Sequence, residues 1–131
     1  MIVADSDVLI DSLRGRKPLV DRVALELKMG TLATTVVNCF ELLSGAKTES
    51  GKKKVEKLLG ALTILPVDEG AARRAAEVRR QLESEGLGIG MADYLIAGIC
   101  LERDLVLLTR NRQHFERIAG LALGRLHGSS P

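Results

Sequence analysis

Residues 91–108 read MADYLIAGICLERDLVLL. From Met91 to Leu101 almost every side chain is apolar, which predicts a helix buried on all sides rather than one lying on a surface. Glu102-Arg103-Asp104 interrupts the run, and Leu105 to Leu108 follows as a short apolar strand. A helix of this kind next to a strand apolar on both faces belongs at the centre of an α/β layer structure, where a parallel sheet is covered on each side.

Working outward, the same alternation recurs. Ala71, Ala75, Val78 and Leu82 form one apolar stripe, and Arg73, Arg74, Glu77 and Arg80 occupy the other face of that helix. Leu62 to Val67 (LTILPV) reads as a strand, preceded by a helix over residues 50–60 whose Lys52-Lys53-Lys54 run is a solvated face. Val36 to Gly45 reads as a helix with Gly45 past its end, after a β-branched strand from Thr31 to Thr35. Residues 18–29 read as a helix opened by Pro18 and closed near Gly30, and Val8, Leu9 and Leu13 mark a helix ending near Gly15. Ile2-Val3-Ala4 is the first strand. Beyond residue 108, a last helix is expected over Asn111 to Ile118, a final edge strand over Gly120 to Leu126, and a frayed tail over 127–131. The expectation is a single domain over 1–131, with a five-stranded, mostly parallel sheet flanked by helices.

Composition narrows the function. The chain has 131 residues, and 19 Lys+Arg against 17 Asp+Glu leave a net charge of +2, so it is not a uniformly basic nucleic-acid binder. The aromatics are Tyr94, Phe40 and Phe115 with no Trp, too few for a base-stacking platform. Cys39 and Cys100 lie in apolar runs without a CxxC partner, consistent with reduced core residues. The opening MIVADSDV lacks a basic n-region, and the longest apolar run is far below the roughly 18 residues of a membrane span, so a cytoplasmic protein without membrane contact is expected.

Three acids resist explanation as solvated surface. Asp5 follows the first strand, Glu41 sits in VVNCFELL, and Asp93 opens the most apolar helix. Asp5 and Asp93 could each cap a helix, and Glu41 could lie on a solvent edge. Together, with one at a strand's carboxyl end, they suggest one shared site. Hard oxygen donors favour Mg²⁺ or Mn²⁺, and His114 and His127 are not at zinc-ligand spacing from either cysteine. Asn111, past the last strand, could be a helix N-cap, a neutral oxygen ligand, or a holder of a metal-bound water.

At these residues the sequence resembles the PIN-domain family, and within it the VapC-type toxins. VADSDVLIDSLRG (3–15) is similar to the first motif, with its acid on Asp5; TTVVNCFELLSGA (34–46) to the second, on Glu41; GIGMADYLIAGIC (88–100) to the third, on Asp93; and LLTRNRQHFERIAGL (107–121) to the fourth, whose acid-or-amide position is Asn111. The resemblance implies a Mg²⁺- or Mn²⁺-dependent endoribonuclease with Asp5, Glu41 and Asp93 on the metal and Asn111 completing the catalytic set. It also implies a cognate antitoxin that occludes the site, and a homodimer. The departure is Asn111, where many relatives carry Asp, which puts tight binding of a second ion in question. Asp7 and Thr109 are expected beside the site, with Asp7 orienting a metal-bound water. Arg14, Arg110 and Arg112, together with Arg16 and Lys17, are candidates to hold the RNA backbone. A single-stranded or loop target is expected, since the deep groove of an RNA duplex hides its bases. Two rivals remain at this level: a catalytically weak RNA- or partner-binding module, and a phosphatase of the haloacid-dehalogenase type with Asp5 of Asp-Ser-Asp as nucleophile.

Overall fold

The structure, a computed structural model, describes residues 1–126. The elements run β1 (Ile2–Ala4), α1 (Ser6–Leu13), α2 (Leu19–Met29), β2 (Leu32–Thr35), α3 (Val36–Gly45), α4 (Glu49–Gly60), β3 (Thr63–Leu65), α5 (Glu69–Ser84), α6 (Met91–Arg103), β4 (Val106–Leu108) and α7 (Arg112–Phe115). The four strands form a parallel sheet in the order β3-β2-β1-β4. Successive strands step outward from β1 to β3, and the chain then crosses back to place β4 on the other side of β1. That reversal puts the carboxyl ends of β1 and β4 side by side, where open α/β sheets build their sites.

The period-2 alternation of strand side chains divides the core. Ile2, Ala4, Leu32 and Leu108 face α1 to α4, against Val8, Leu9, Val23, Leu42, Val55 and Leu59. Val3, Ala33 and Leu107 face α5 to α7, against Ala75, Leu82, Tyr94, Ile96, Ala97 and Phe115. Helix α6 is buried along most of its length, as its composition requires. No helix among the described residues is long and apolar enough to cross a membrane. Both cysteines are free; Cys100 is buried and Cys39 partly so.

Differences from the expected pattern lie at chain reversals. The fifth strand contracts to one parallel bridge between Leu123 and Leu107, held by Leu107 N donating to Ala122 O and Gly124 N donating to Leu107 O, both at 2.9 Å. Strand β4 has only three residues to offer, and Gly120, at φ 83, and Gly124 bracket a segment with poor strand propensity. Gly45 is the last residue of α3 rather than lying past it, and Ala46 caps the helix. Helix α7 ends at Phe115, short of Ile118. The expected frayed tail, 127–131, lies outside the described residues.

Helices α5 and α6 approach each other through Gly98. A Cβ there would lie 2.4 Å from the carbonyl oxygen of Ala71 and 2.8 Å from the Cβ of Ala75, so backbone would have to move. Gly98→Ala is expected to lower stability by about 1–3 kcal/mol through overpacking, read as a lower urea midpoint with an unchanged slope.

Candidate active site

Asp5 ends β1 and caps α1, and its carboxylate is almost fully buried. Its Oδ1 accepts from Ser6 N at 2.8 Å and from Asn38 Nδ2 at 2.9 Å, and its Oδ2 accepts from Thr109 Oγ1 at 2.7 Å. Three elements thus converge on one anion: the start of α1, the first turn of α3, and the residue after β4. With both oxygens engaged, the Asp5 carboxyl is held in one orientation.

Asn38 is fully buried. It forms a capping box with Thr35, its Oδ1 accepting from Thr35 Oγ1 at 2.7 Å. Its Nδ2 also donates to Ser6 Oγ at 2.9 Å, and Ser6 Oγ donates to Glu41 Oε1 at 2.7 Å. On the other side of Asp5, Thr109 Oγ1 accepts from Asn111 N at 3.0 Å, and the Asn111 side chain lies 2.9 Å from His114 Nδ1. The same ring nitrogen is 2.8 Å from Asp93 Oδ2. An Nδ1–H donating to Asp93 satisfies the carboxylate, and the amide of Asn111 can present its oxygen to the same hydrogen by rotation. One hydrogen-bonded chain therefore runs Asp93–His114–Asn111–Thr109–Asp5–Asn38–Ser6–Glu41, and all four residues singled out by the sequence lie on it.

The electrostatics of this chain are negative. Burial raises the Asp5 pKa; hydrogen bonds from Thr109, Ser6 and Asn38 oppose the rise, and the charge of Asp93 adds to it. Asp7 is pushed up to about 6, first by burial and then by the charge of Asp5, with the backbone N–H groups of Arg110 and Val8 opposing. Burial also pushes the Cys100 thiol up to about 12, so it stays protonated. Among the described residues no Lys or Arg forms an ion pair with Asp5, Glu41 or Asp93.

Nor do any three His, Cys, Asp or Glu side chains among the described residues close on a common point in the manner of a finished metal nest. Glu41 reaches Asp5 only through Ser6 and Asn38, and Asp93 reaches it through His114, Asn111 and Thr109. The donor chemistry nonetheless fits a hard divalent cation: carboxylate and amide oxygens, a carboxyl whose anionic form burial disfavours, and no Lys or Arg paired with it among the described residues.

The three arginines expected to hold substrate occupy different settings. Arg14 is exposed at the end of α1 and borders, with Ile10, Leu13, Glu41, Leu42 and Val55, a groove of about 270 Å³. Arg110 Nη1 donates to Asp11 at 2.8 Å. Arg112 Nη1 donates to Gly124 O at 2.9 Å while its Nε pairs with Glu116, so this side chain ties down the segment after α7. Asp7 accepts from Arg110 N at 3.2 Å.

Ser6, Asn38, His114 and Asp11 enter the arrangement without having been singled out from the sequence. The signal for Asn38 was an amide in an otherwise apolar helix, three residues after Thr35. That for His114 was its position one helical turn after Asn111, and that for Asp11 was its i,i+4 relation to Asp7.

Comparison with known proteins follows the same lines. The family profile of the PIN domain matches residues 2–121. Ribonuclease VapC10 of Mycobacterium tuberculosis is 40% identical over 115 residues, covering 88% of this chain and 86% of that protein. The tRNA(fMet)-specific endonuclease VapC of Shigella flexneri is 28% identical over 121 residues, covering 89% of this chain and 91% of that one. The solved structure of VapBC2 from Rickettsia felis, bound to a DNA fragment from its promoter, superposes with a TM-score of 0.86 at 27% identity, covering 95% of this chain and 98% of that one.

Asp7 yields a pH prediction. Folded, it holds its proton to about 6; unfolded, it releases it near 3.8. The folded state binds more protons across that window, so this residue lowers stability as pH rises from 3.8 to about 6, and its contribution is level above. Asp7→Asn is expected to remove that component. Urea titrations of both metal-free proteins from about pH 4 to 7 measure the difference, which should grow steadily through the window.

Proposed function

The chain belongs to the PIN-domain family, in its VapC branch, and on that premise we propose that it is a divalent-metal-dependent endoribonuclease, the toxin of a toxin–antitoxin pair. The observation that supports this most directly is the hydrogen-bonded chain through Asp5, Glu41, Asp93 and Asn111 at the carboxyl ends of β1 and β4. It holds several acids together without a Lys or Arg paired with them among the described residues, which suits a site completed by a metal ion.

Asp5, Asp93 and Glu41 would hold Mg²⁺ or Mn²⁺. When bound, the ion would offset charge on the scissile phosphate and lower the pKa of a bound water. The protein's own contribution is placement. Thr109, Ser6 and Asn38 hold the Asp5 carboxylate in one orientation, and His114 does the same for Asp93. Asn111 contributes a neutral amide where many relatives carry an acid, so the site has one less negative charge to repel RNA. Arg14, exposed on the groove that Glu41 also borders, would meet the RNA backbone.

The M. tuberculosis and S. flexneri relatives are named as a ribonuclease and a tRNA(fMet)-specific endonuclease, and the R. felis neighbour is a VapBC assembly. We take the substrate here to be RNA and the inhibitor to be a small cognate antitoxin that covers the acidic end of the sheet. An antitoxin Arg reaching the carboxylates would supply the charge that the chain itself withholds. The proposed homodimer uses a different surface. The apolar stripe on α4 is spent in the core through Val55, Leu58 and Leu59. What remains exposed is Phe40 (70%), Met91 (68%) and Val36, beside Val37, Ala92 and Leu95. An apolar patch of this kind near the active site is suited to a partner copy.

Two measurements test the proposal. A labelled tRNA pool is incubated with the protein in Mg²⁺ or Mn²⁺, with EDTA, and with Asp93→Asn. Cleavage is expected only with metal and with Asp93 intact. Cleavage by the variant would contradict the assignment, and a silent protein that gains activity as Asn111→Asp would favour a binding module whose chemistry was lost at that residue. For the dimer, light scattering at micromolar concentration should give twice the monomer mass for the native protein and a monomer for Phe40→Glu; a native monomer would count against it.

A further inference from the structure

Several ion pairs among the described residues are one-to-one and exposed, such as Arg73–Glu69 and Arg79–Glu83 along α5. Asp11 is different. Its carboxylate is buried and faces two guanidinium groups at once: Oδ1 accepts from Arg16 Nη1 at 3.3 Å and Oδ2 from Arg110 Nη1 at 2.8 Å. Against the three cations Arg16, Arg110 and Lys17 stand the carboxylate of Asp11 and, on the Arg110 side, that of Asp7, which leaves an excess of positive charge. Together with Pro18 and Leu19, Asp11 and the three cations border a cavity of about 290 Å³.

The arginines are anchored but not used up. Their side chains are 57% and 51% exposed against 9% for Asp11, and among the described residues Nε and Nη2 of both have no protein partner. Nor is the Arg16 guanidinium required to shape its loop. The main chain does that, through Gly15 N to Ser12 O, Arg16 N to Asp11 O and Val20 N to Arg16 O. What Asp11 achieves is to fix two planar donor groups in advance, so that an anion meeting them has less side-chain freedom to quench. The apolar walls from Pro18 and Leu19 strengthen the field between them.

The cluster adjoins the carboxylate chain. Arg110 lies between Thr109 and Asn111, and its backbone N–H donates to Asp7. A polyanion approaching Asp5, Asp7, Glu41 and Asp93 is repelled there and needs a cationic hold close by. We propose that Arg16, Arg110 and Lys17, with the two arginines held by Asp11, form a second anion site that binds a non-scissile backbone phosphate of the RNA strand next to the cleavage centre. This rests on the ribonuclease reading above.

The test separates binding from cleavage. A fluorescein-labelled oligouridylate of about twelve nucleotides is titrated in EDTA by anisotropy at several salt concentrations. Arg16→Gln/Arg110→Gln is expected to raise Kd about 10-fold or more and to reduce the slope of log K against log salt by about 0.7 for each phosphate no longer neutralised. Arg73→Gln/Arg79→Gln removes the same charge from α5 and should leave both values near those of the native protein. Arg16→Lys/Arg110→Lys should recover the slope but not the full affinity, which a folding defect would not do. Native-like Kd and slope in the glutamine variant, or an equal loss in the α5 control, would overturn the site while leaving the nuclease reading intact. If the native protein neither binds nor cleaves RNA, the nuclease reading falls, and the RNA assignment of this site with it. Inorganic phosphate followed through the arginine Nε–H resonances then shows whether an anion site survives: saturable shifts confined to Arg16 and Arg110 keep it, and their absence ends it.

Discussion

The Asp5 carboxyl sits where water scarcely reaches, and on balance its pKa is raised by that burial although the structure around it opposes the rise. Burial alone would favour the protonated carboxyl. The opposing force is three hydrogen bonds, each from a different part of the chain: the backbone of Ser6, the amide of Asn38 and the hydroxyl of Thr109. None of the three donors is loose. Asn38 is locked by Thr35 within the first turn of α3, and Thr109 is engaged by the backbone of Asn111. The parallel register brings them together, because Ala4 pairs with Leu108 and Asp5 N donates to Leu108 O. A slip of one residue between β1 and β4 would carry Thr109 away from Asp5 and exchange the two faces of the sheet.

The same arrangement sorts charge in space. Along the hydrogen-bonded chain the protein places acids and amides and keeps its arginines off Asp5, Glu41 and Asp93. A short distance away, around Asp11, the balance is reversed, with a buried carboxylate between two guanidinium groups. Overall charge, near neutral, conceals both regions. On the proposed nuclease reading the two regions would act together, the acids holding a divalent ion and the cationic neighbour retaining the strand.

Packing decides which apolar residues are available to partners. Both faces of the sheet are covered, so α4 and α6 use most of their apolar side chains internally. Helix α3 does not. It spends Asn38 and Leu42 on the interior and leaves Val36 and Phe40 outside, next to Met91 at the start of α6. This helix carries Asn38 and Glu41 towards the carboxylate chain on one side and presents an apolar surface on the other.

Much of this was legible in the chain as written. Apolar periodicity located the main strands and helices, because a helix buried all round and strands buried on both faces, as β1 and β2 are, admit few other arrangements; the strand expected over 62–67 is instead a short, largely exposed edge strand, β3. Acids in apolar surroundings marked Asp5, Glu41 and Asp93, but of the three only Asp5 is buried; Glu41 and Asp93 are partly exposed. The end of the chain was less legible, since three-residue strands and glycine-bounded segments pair according to their neighbours rather than their own propensity. What only the tertiary structure decided was who holds whom. That Asn38, thirty-three residues from Asp5, donates to it, that His114 grips Asp93, and that Arg110 crosses to Asp11 are facts of approach between distant segments. Local sequence sets the residue types and their faces; the distances between hydrogen-bonding groups arise only when the sheet closes in register.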